Sequence, residues 1–277
     1  MAFIHLGFDM GIRNLAYCMI RHEESGVKTV LAWDNVDLLE GGTSAQYAKA
    51  CVGCDAAAKW IQADGKKWCN ACATQKRVKK TARSKPEFPT IPCGLAVGPL
   101  RALVGAEGKT WKKDALVAWA AQRYLLPWKP SKAMDTSLID IRRAMNTWLD
   151  SVLPTFASAT LIRLENQPVM KGPTMKSVQI MLFTLLGHRL EKERGWSGAI
   201  EFVHAGTKTR ATAPAAVAGA VVDESKAYRA RKNAAETEVA DLLTAAGERG
   251  MTWLAFFRGR TKKSDLADAF LMAHRGR

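Results

Sequence analysis

The sequence predicts an α/β fold in which a mixed β-sheet is flanked by helices. Three observations carry this. Residues 3–9 form a mostly apolar run that ends at Asp9, with Gly7 and Gly11 as flexible points around a turn. Residues 160–165 form a second such run, ending at Glu165 and closed by Asn-Gln-Pro. Stretches with the helical spacing of apolar residues then alternate with a short strand-like segment through the rest of the chain.

Taken in order, 3–9 reads as the first strand. Residues 14–21 and 28–36 read as two more, separated by the polar stretch Arg21 to Gly26, and the three suggest an antiparallel meander. Residues 37–158 read as an insertion. It opens with a cysteine-rich segment from Cys51 to Cys72, continues as a basic run from Lys76 to Lys85, and breaks at Pro86, Pro89 and Pro92. Within it, 110–126 and 136–152 have amphipathic helical patterns, with Trp111, Leu116, Trp119, Ile139, Met145 and Trp148 expected to be buried. The strand at 160–165 resumes the core. An apolar helix follows at 174–194, carrying Met175, Val178, Met181, Leu182, Leu185 and Leu186, and a short strand runs from Ala199 to Val203. Residues 206–222, rich in Ala, Thr, Pro and Gly, read as a mobile connection ahead of helices at 225–246 and 264–273. The expected organisation is therefore a core of 1–36 and 159–277 interrupted by 37–158.

Of the 277 residues, 48% are apolar, enough to bury a substantial core. Forty-one Lys and Arg against 26 Asp and Glu give a net charge of +15, which implies a polyanionic partner. An anionic membrane shares that sign, but no stretch approaches the roughly 20 apolar residues of a spanning helix. Nucleic acid is the expected partner. The first residues lack the basic flank, apolar stretch and cleavage site of a secretion signal, and no Arg-rich and Ser-rich leader is present, so an intracellular, DNA-containing compartment is expected.

Cys51-x₂-Cys54-x₁₄-Cys69-x₂-Cys72 has the paired spacing of a zinc ribbon or knuckle, with a loop one residue shorter than the usual range. In a reducing compartment such pairs favour a metal over disulfides. Four thiolates close a tetrahedral site and leave no open position, so the expected ion is a structural Zn²⁺. Cys18 and Cys93 have no such partner and are expected to pack as small apolar groups. The five histidines show no metal-ligand spacing.

Four acids point to catalysis. Asp265 and Asp268 are three apart in a helical segment, which puts their carboxylates within roughly 60° of each other on one face. Asp9 and Glu165 end strands, where side chains of an α/β sheet open into a crevice. Singly, each has an ordinary explanation as a turn residue or a helix N-terminal acid. Glu165 is the hardest to treat so, because an ionised acid beside a core strand needs a partner or a metal. Phosphodiester hydrolysis needs an activated water and a stabilised leaving oxyanion, and two divalent ions about 3.5–4 Å apart supply both. Carboxylates suit Mg²⁺ or Mn²⁺. Asp9 is expected to bridge both ions, Glu165 and Asp268 to complete one sphere each, and Asp265 to bind or position the attacking water.

At these residues the chain resembles the RuvC-like Holliday junction resolvases, particularly the branch of poxviruses and other large DNA viruses, with relatives in fungal mitochondria. Gly7-Phe-Asp9-Met-Gly11-Ile-Arg-Asn14-Leu-Ala16 is similar to that family's opening strand with its metal-binding Asp. Leu164-Glu165-Asn166-Gln167-Pro168, followed by Met175-Lys176-Ser177-Val178-Gln179, resembles its Glu-Asn-Gln strand end and the next helix. Lys262-Lys263-Ser264-Asp265-Leu266-Ala267-Asp268-Ala269-Phe270-Leu271 resembles its closing helix, and Tyr228-Arg229-Ala230-Arg231-Lys232 echoes a basic motif ahead of it. The pieces cover about a fifth of the chain, in the family's order. The resemblance implies an RNase H-like fold and a homodimer that makes paired, metal-dependent cuts across a four-way DNA junction. It does not extend to 37–158.

Basic residues that would contact phosphate fall in two groups. Lys76, Arg77, Lys79, Lys80, Arg83 and Lys85 follow the cysteines and could form an arm against DNA, where each phosphate neutralised releases counterions. Lys171, Lys176, Arg229, Arg231, Lys232, Lys262 and Lys263 flank the acids in sequence, where phosphate contacts would position the scissile bond. Two rival readings are an RNA-guided or transposon-type nuclease on the same fold and a zinc-stapled protein that binds branched DNA without cutting. The cysteines precede Glu165, which counts against the first, and the presence of all four acids counts against the second.

Overall fold

The computed structural model describes residues 2–40, 42–44, 49–74, 85–91, 95–168, 173–204 and 224–275, with the backbone alone at 43, 44, 134 and 224–226. In chain order its elements are β1 (Phe3–Asp9), β2 (Leu15–His22), β3 (Lys28–Asp37), β4 (Thr43–Ser44), β5 (Trp60–Ile61), β6 (Lys67–Trp68), α1 (Asn70–Ala73), α2 (Val97–Val104), α3 (Lys113–Ala121), β7 (Leu126–Pro127), α4 (Leu138–Phe156), β8 (Leu161–Asn166), α5 (Pro173–Arg194), β9 (Ala199–His204), α6 (Glu224–Ala245), α7 (Glu248–Arg258) and α8 (Lys263–His274). They divide between two compact units, Met1–Gln46 with Lys132–Arg277, and Tyr47–Ser131.

The larger unit holds a six-stranded sheet of order β4-β3-β2-β1-β8-β9. β1, β2 and β3 form an antiparallel meander, while β8 runs parallel to β1 and β9 parallel to β8. A parallel neighbour requires a crossover, which α5 supplies between β8 and β9. A mixed sheet of this order with helices on both faces is consistent with an RNase H-like fold.

The two-residue period of the strands decides what each face does. On β1 and β8, Leu6, Phe8, Ile162 and Leu164 are fully buried in one cluster with Met145, Trp148 and Leu149 of α4 and Val178, Leu182 and Leu186 of α5. The alternate residues face the other way. There Ala16, Cys18 and Ile20 of β2 pack with Trp33, α8 and residues of α6 and α7. Gly7 lies directly under α8, where an added Cβ would come within 2.6 Å of the Ala269 carbonyl oxygen and 2.8 Å of the Ala273 nitrogen.

Two expectations about helices need correction. Ile139 is 57% exposed, and Ile141 is buried in its place. The buried positions of α4 are 141, 145, 148, 149, 153 and 156, a stripe from which residue 139 is rotated about 200° away from Ile141. The pattern at 110–126 yields only Lys113–Ala121 as α-helix, preceded by a 3₁₀ turn at Ala106–Thr110; Leu116 is buried, and Trp111 and Trp119 are half-buried. Helices α2 and α7 went unread in the sequence. Residues 206–222 lie outside the described residues.

The smaller unit contains a three-stranded sheet of order β6-β5-β7. Trp68, Cys51, Cys69, Cys72 and Leu125 form one small core, and Ile91, Leu100, Leu116 and Ala120 form another. Among the described residues of the chain, no helix is long and apolar enough to cross a membrane.

The last turn of α8 is held by hydrogen-bond donors from the sheet. The orphan carbonyls at a helix C-terminus carry partial negative charge and need donors. Here His22 Nε2–H donates to the Ala273 carbonyl at 2.9 Å, Lys28 Nζ to that of His274 at 2.8 Å and Arg163 to that of Met272 at 3.3 Å. This crowding of donors keeps the nearby histidines neutral. Burial, then His22 and Arg163, push His5 down to about 4, and burial, then Lys28 and His22, do the same to His274. Both folded-state values lie below the unfolded value, so the unfolded chain binds more protons between them and stability falls as pH drops. Thermal denaturation should therefore show a melting temperature that declines from pH 6.5 towards 4. The decline should be shallower in a His5→Asn/His274→Asn variant, and an equally steep profile would refute the assignment.

Candidate active site and metal centre

Strand register brings the first two acids together. Phe8 pairs with Leu164 in the parallel β1–β8 ladder, so Asp9 and Glu165, one residue further on, stand at neighbouring strand ends. Both alternate with core residues and so face the α8 side. α8, lying over Gly7, contributes Asp265 from its first turn and Asp268 three residues later. All four line one cavity of about 560 Å³, together with Met10, Gly11, Ile12, Arg13, Asn14, Gln167, Tyr228, Arg231 and Lys232.

Asp9 is 9% exposed, and the other three acids are half-buried. Glu165 Oε2 accepts a hydrogen bond from Gln167 Nε2 at 2.9 Å and a longer one from the Met10 N–H at 3.5 Å. Asp265 Oδ1 accepts from Lys232 Nζ at 3.2 Å and from Ser264 Oγ at 3.0 Å. Burial alone would lower the Lys232 proton affinity, but the Tyr228 hydroxyl and Asp265 outweigh it and hold the ammonium well above the usual lysine range. Lys232 is therefore a fixed cation in the cavity wall. Arg13 is tethered to the buried Asp37 at 2.9 Å.

The predicted cations fare differently. Arg231 and Lys232 line the cavity; Arg229, Lys262 and Lys263 do not, the first two being exposed. Lys176 lies outside the lining too. Its Nζ donates to Asn166 Oδ1 at 2.9 Å and Gln179 Oε1 at 3.1 Å, and the same Gln179 oxygen accepts the Gln167 N–H at 3.0 Å. Lys176 thus braces the segment whose Gln167 side chain orients Glu165. Lys171, Lys76, Arg77, Lys79 and Lys80 lie outside the described residues. Arg13, Asn14, Gln167 and Tyr228 line the cavity without having been singled out as site residues. Tyr228 had a readable signal, since it stands four residues before Lys232 and shares its helical face.

Divalent cations fit this donor set. Four carboxylates offer the hard oxygen ligands that Mg²⁺ or Mn²⁺ require, in a cavity with room for water and a phosphate. The acids are spread more widely than the thiolates. Among the described residues, the cysteines form the metal-type cluster whose ligand atoms all lie within 4.8 Å of one another.

In that cluster, Cys54 Sγ is 3.6 Å from both Cys69 Sγ and Cys72 Sγ. A tetrahedral zinc site with bonds of about 2.3 Å places its sulfurs ~3.8 Å apart, so the four positions could hold one Zn²⁺. Two knuckle turns aim backbone donors at the sulfurs, Gly53 N–H at Cys51 and Cys72 N–H at Cys69, each at 3.4 Å. Cys51, Cys69 and Cys72 are buried beside Trp68. Cys18 packs as a fully buried apolar group against α8, while Cys93 is outside the described residues. Elemental analysis of purified protein should find about one zinc per chain. A Cys51→Ser/Cys72→Ser variant should lose it and become protease-sensitive within 47–131 first; full zinc retention would overturn the site.

No family model matches the chain, and no curated protein sequence matches it. Among solved structures, it is similar to the yeast mitochondrial Holliday junction resolvase Ydc2, at 13% identity and a TM-score of 0.43, over 98% of this chain and 77% of that one. The neighbour comes from fungal mitochondria and not from a large DNA virus. At that level it is a likeness in chain course, and the chemistry of the cavity is what bears on function.

Proposed function

We propose that the chain is a metal-dependent, structure-selective DNA endonuclease that resolves four-way junctions by paired cuts. One observation carries this: carboxylates from β1, β8 and α8 line one cavity whose wall also holds fixed cations. Acids for metal ions beside Arg and Lys for phosphate form the donor set that phosphodiester hydrolysis requires.

Asp9, Glu165 and Asp268 would hold the divalent ions, with Asp9 shared between them. Bound there, the ions would neutralise charge on the scissile phosphate and lower the pKa of water. Asp265 is suited to orient the attacking water, since Lys232 and Ser264 fix one of its oxygens and leave the other to accept a proton. Arg13, Arg231 and Lys232 would bind phosphate oxygens flanking the cut and set the strand's register. Gln167 holds the Glu165 carboxylate in place, and Lys176 acts one step behind it.

Choice of a four-way junction follows the motif resemblance. Such a junction has two-fold symmetry, which a homodimer with two such cavities would match. Sedimentation that found only monomer at micromolar concentration would count against paired cuts.

Incubation with a synthetic four-way junction, a linear duplex and a single strand, with and without Mg²⁺, tests the whole reading. Symmetric nicks confined to the junction and dependent on Mg²⁺ are expected. Asp268→Asn should reduce cleavage by more than about 100-fold, beyond the loss typical of residues that only support a metal ligand, while junction binding persists. Wild-type cleavage by that variant would show that the acids do not act together, and binding without cleavage by the parent protein would favour a branched-DNA-binding role.

A further inference from the structure

The positive charge is not spread evenly. Tyr47–Ser131 contains 16 Lys and Arg against 5 Asp and Glu, an excess of 11 within the chain's +15. The larger unit is nearly balanced, at 25 against 21. The imbalance does not depend on the run at 76–83. Among the described residues of the smaller unit there are still 11 basic side chains against 5 acidic.

Some of these cations are held on aromatic rings. Lys67 Nζ lies 4.7 Å from the centre of the Trp128 ring, and the Arg123 guanidinium lies 4.6 Å from that of Trp119. The strand pairing places Trp60 opposite Trp68 and Pro127, towards the cysteine core, and Ile61 opposite Lys67 on the alternate face. Lys59 precedes Trp60, and the backbone of Trp128 bonds to its carbonyl at 2.7 Å. By alternation, Lys59, Lys67 and Trp128 share the face of the sheet opposite the cysteine core, with Lys59 exposed. A sheet braced by the cysteine cluster holds these charges in fixed relation, which reduces the side-chain entropy lost on meeting a phosphate.

We propose that the cysteine-stapled unit is the chain's main electrostatic contact with duplex DNA, and that the face bearing Lys59, Lys67 and Trp128 tracks the phosphates of one duplex arm. The inference rests on the reading that the chain acts on DNA. It assigns phosphate binding chiefly to the unit that lacks the acids. The nuclease unit then needs only the few cations that orient the scissile bond.

The full-length, zinc-loaded protein tests this without added Mg²⁺, by fluorescence anisotropy on a four-way junction and on a plain duplex over a range of KCl concentrations. Lys59→Ala/Lys67→Ala should lower the slope of log affinity against log salt by about two, since each phosphate contact contributes ~0.9. Lys192→Ala/Arg194→Ala/Arg249→Ala removes three exposed charges from the larger unit and should leave the slope unchanged. Zinc content and circular dichroism matching the parent confirm that both variants fold. An unchanged slope in the first variant, an equal loss in the second, or tighter binding to an RNA duplex of the same sequence would overturn the inference while leaving junction cleavage to be judged by its own assay. Failure of the parent protein to bind DNA at any salt concentration would overturn both.

Discussion

The close docking of α8 on β1 is the contact on which the site depends. Two of its four acids belong to a helix and two to strand ends, so the distance between them is set by how near that helix lies to the sheet. Gly7 makes the approach possible, because any side chain there would meet the backbone of Ala269 and Ala273. The last turn is then fixed by donors from three strands, His22, Lys28 and Arg163, acting on successive carbonyls. Nearer the acids, Trp33 Nε1 donates to the Leu266 carbonyl at 3.1 Å. The helix is thus held at both ends, with Asp265 and Asp268 on the half that faces Asp9.

Strand alternation supplies the complementary constraint. Leu6 and Phe8 on β1, and Ile162 and Leu164 on β8, bury one face against α4 and α5. Those residues oblige Gly7, Asp9, Arg163 and Glu165 to face the other way. A register slip of one residue would turn the acids into the core and the core residues into the cavity. Burial of four large apolar side chains, each worth about 1.5–3 kcal/mol, therefore also fixes the orientation of the cavity's strand-borne carboxylates.

These two constraints explain what could be read from the sequence and what could not. Apolar runs ending in acids revealed β1 and β8, and i, i+3 spacing revealed the pair on α8, because local periodicity reports directly which side a residue faces. The cysteine pairs were legible for a similar reason, since two-residue gaps are the reach of a knuckle turn. Ile139 misled because an apolar residue in an amphipathic stretch need not lie on its buried stripe. The roles of the histidines escaped notice because they depend on contacts across long separations: His22 is 251 residues from Ala273. Arg13 is likewise tethered through Asp37, 24 residues away, by a contact that no local pattern encodes.

The two groups of metal-type ligands obey opposite requirements. The four cysteine sulfurs of the smaller unit converge to within 4.8 Å of one another, so a bound ion would have no open position and would staple a fold whose separate apolar cores are small. On the proposed reading the carboxylates must stay apart, because a closed shell would exclude substrate. Four acids held near one another repel, and the cavity offsets this with Lys232 against Asp265 and amide donors against Glu165. The same balance that lets the folded chain tolerate its acids also preserves the negative potential by which divalent cations would be drawn to them.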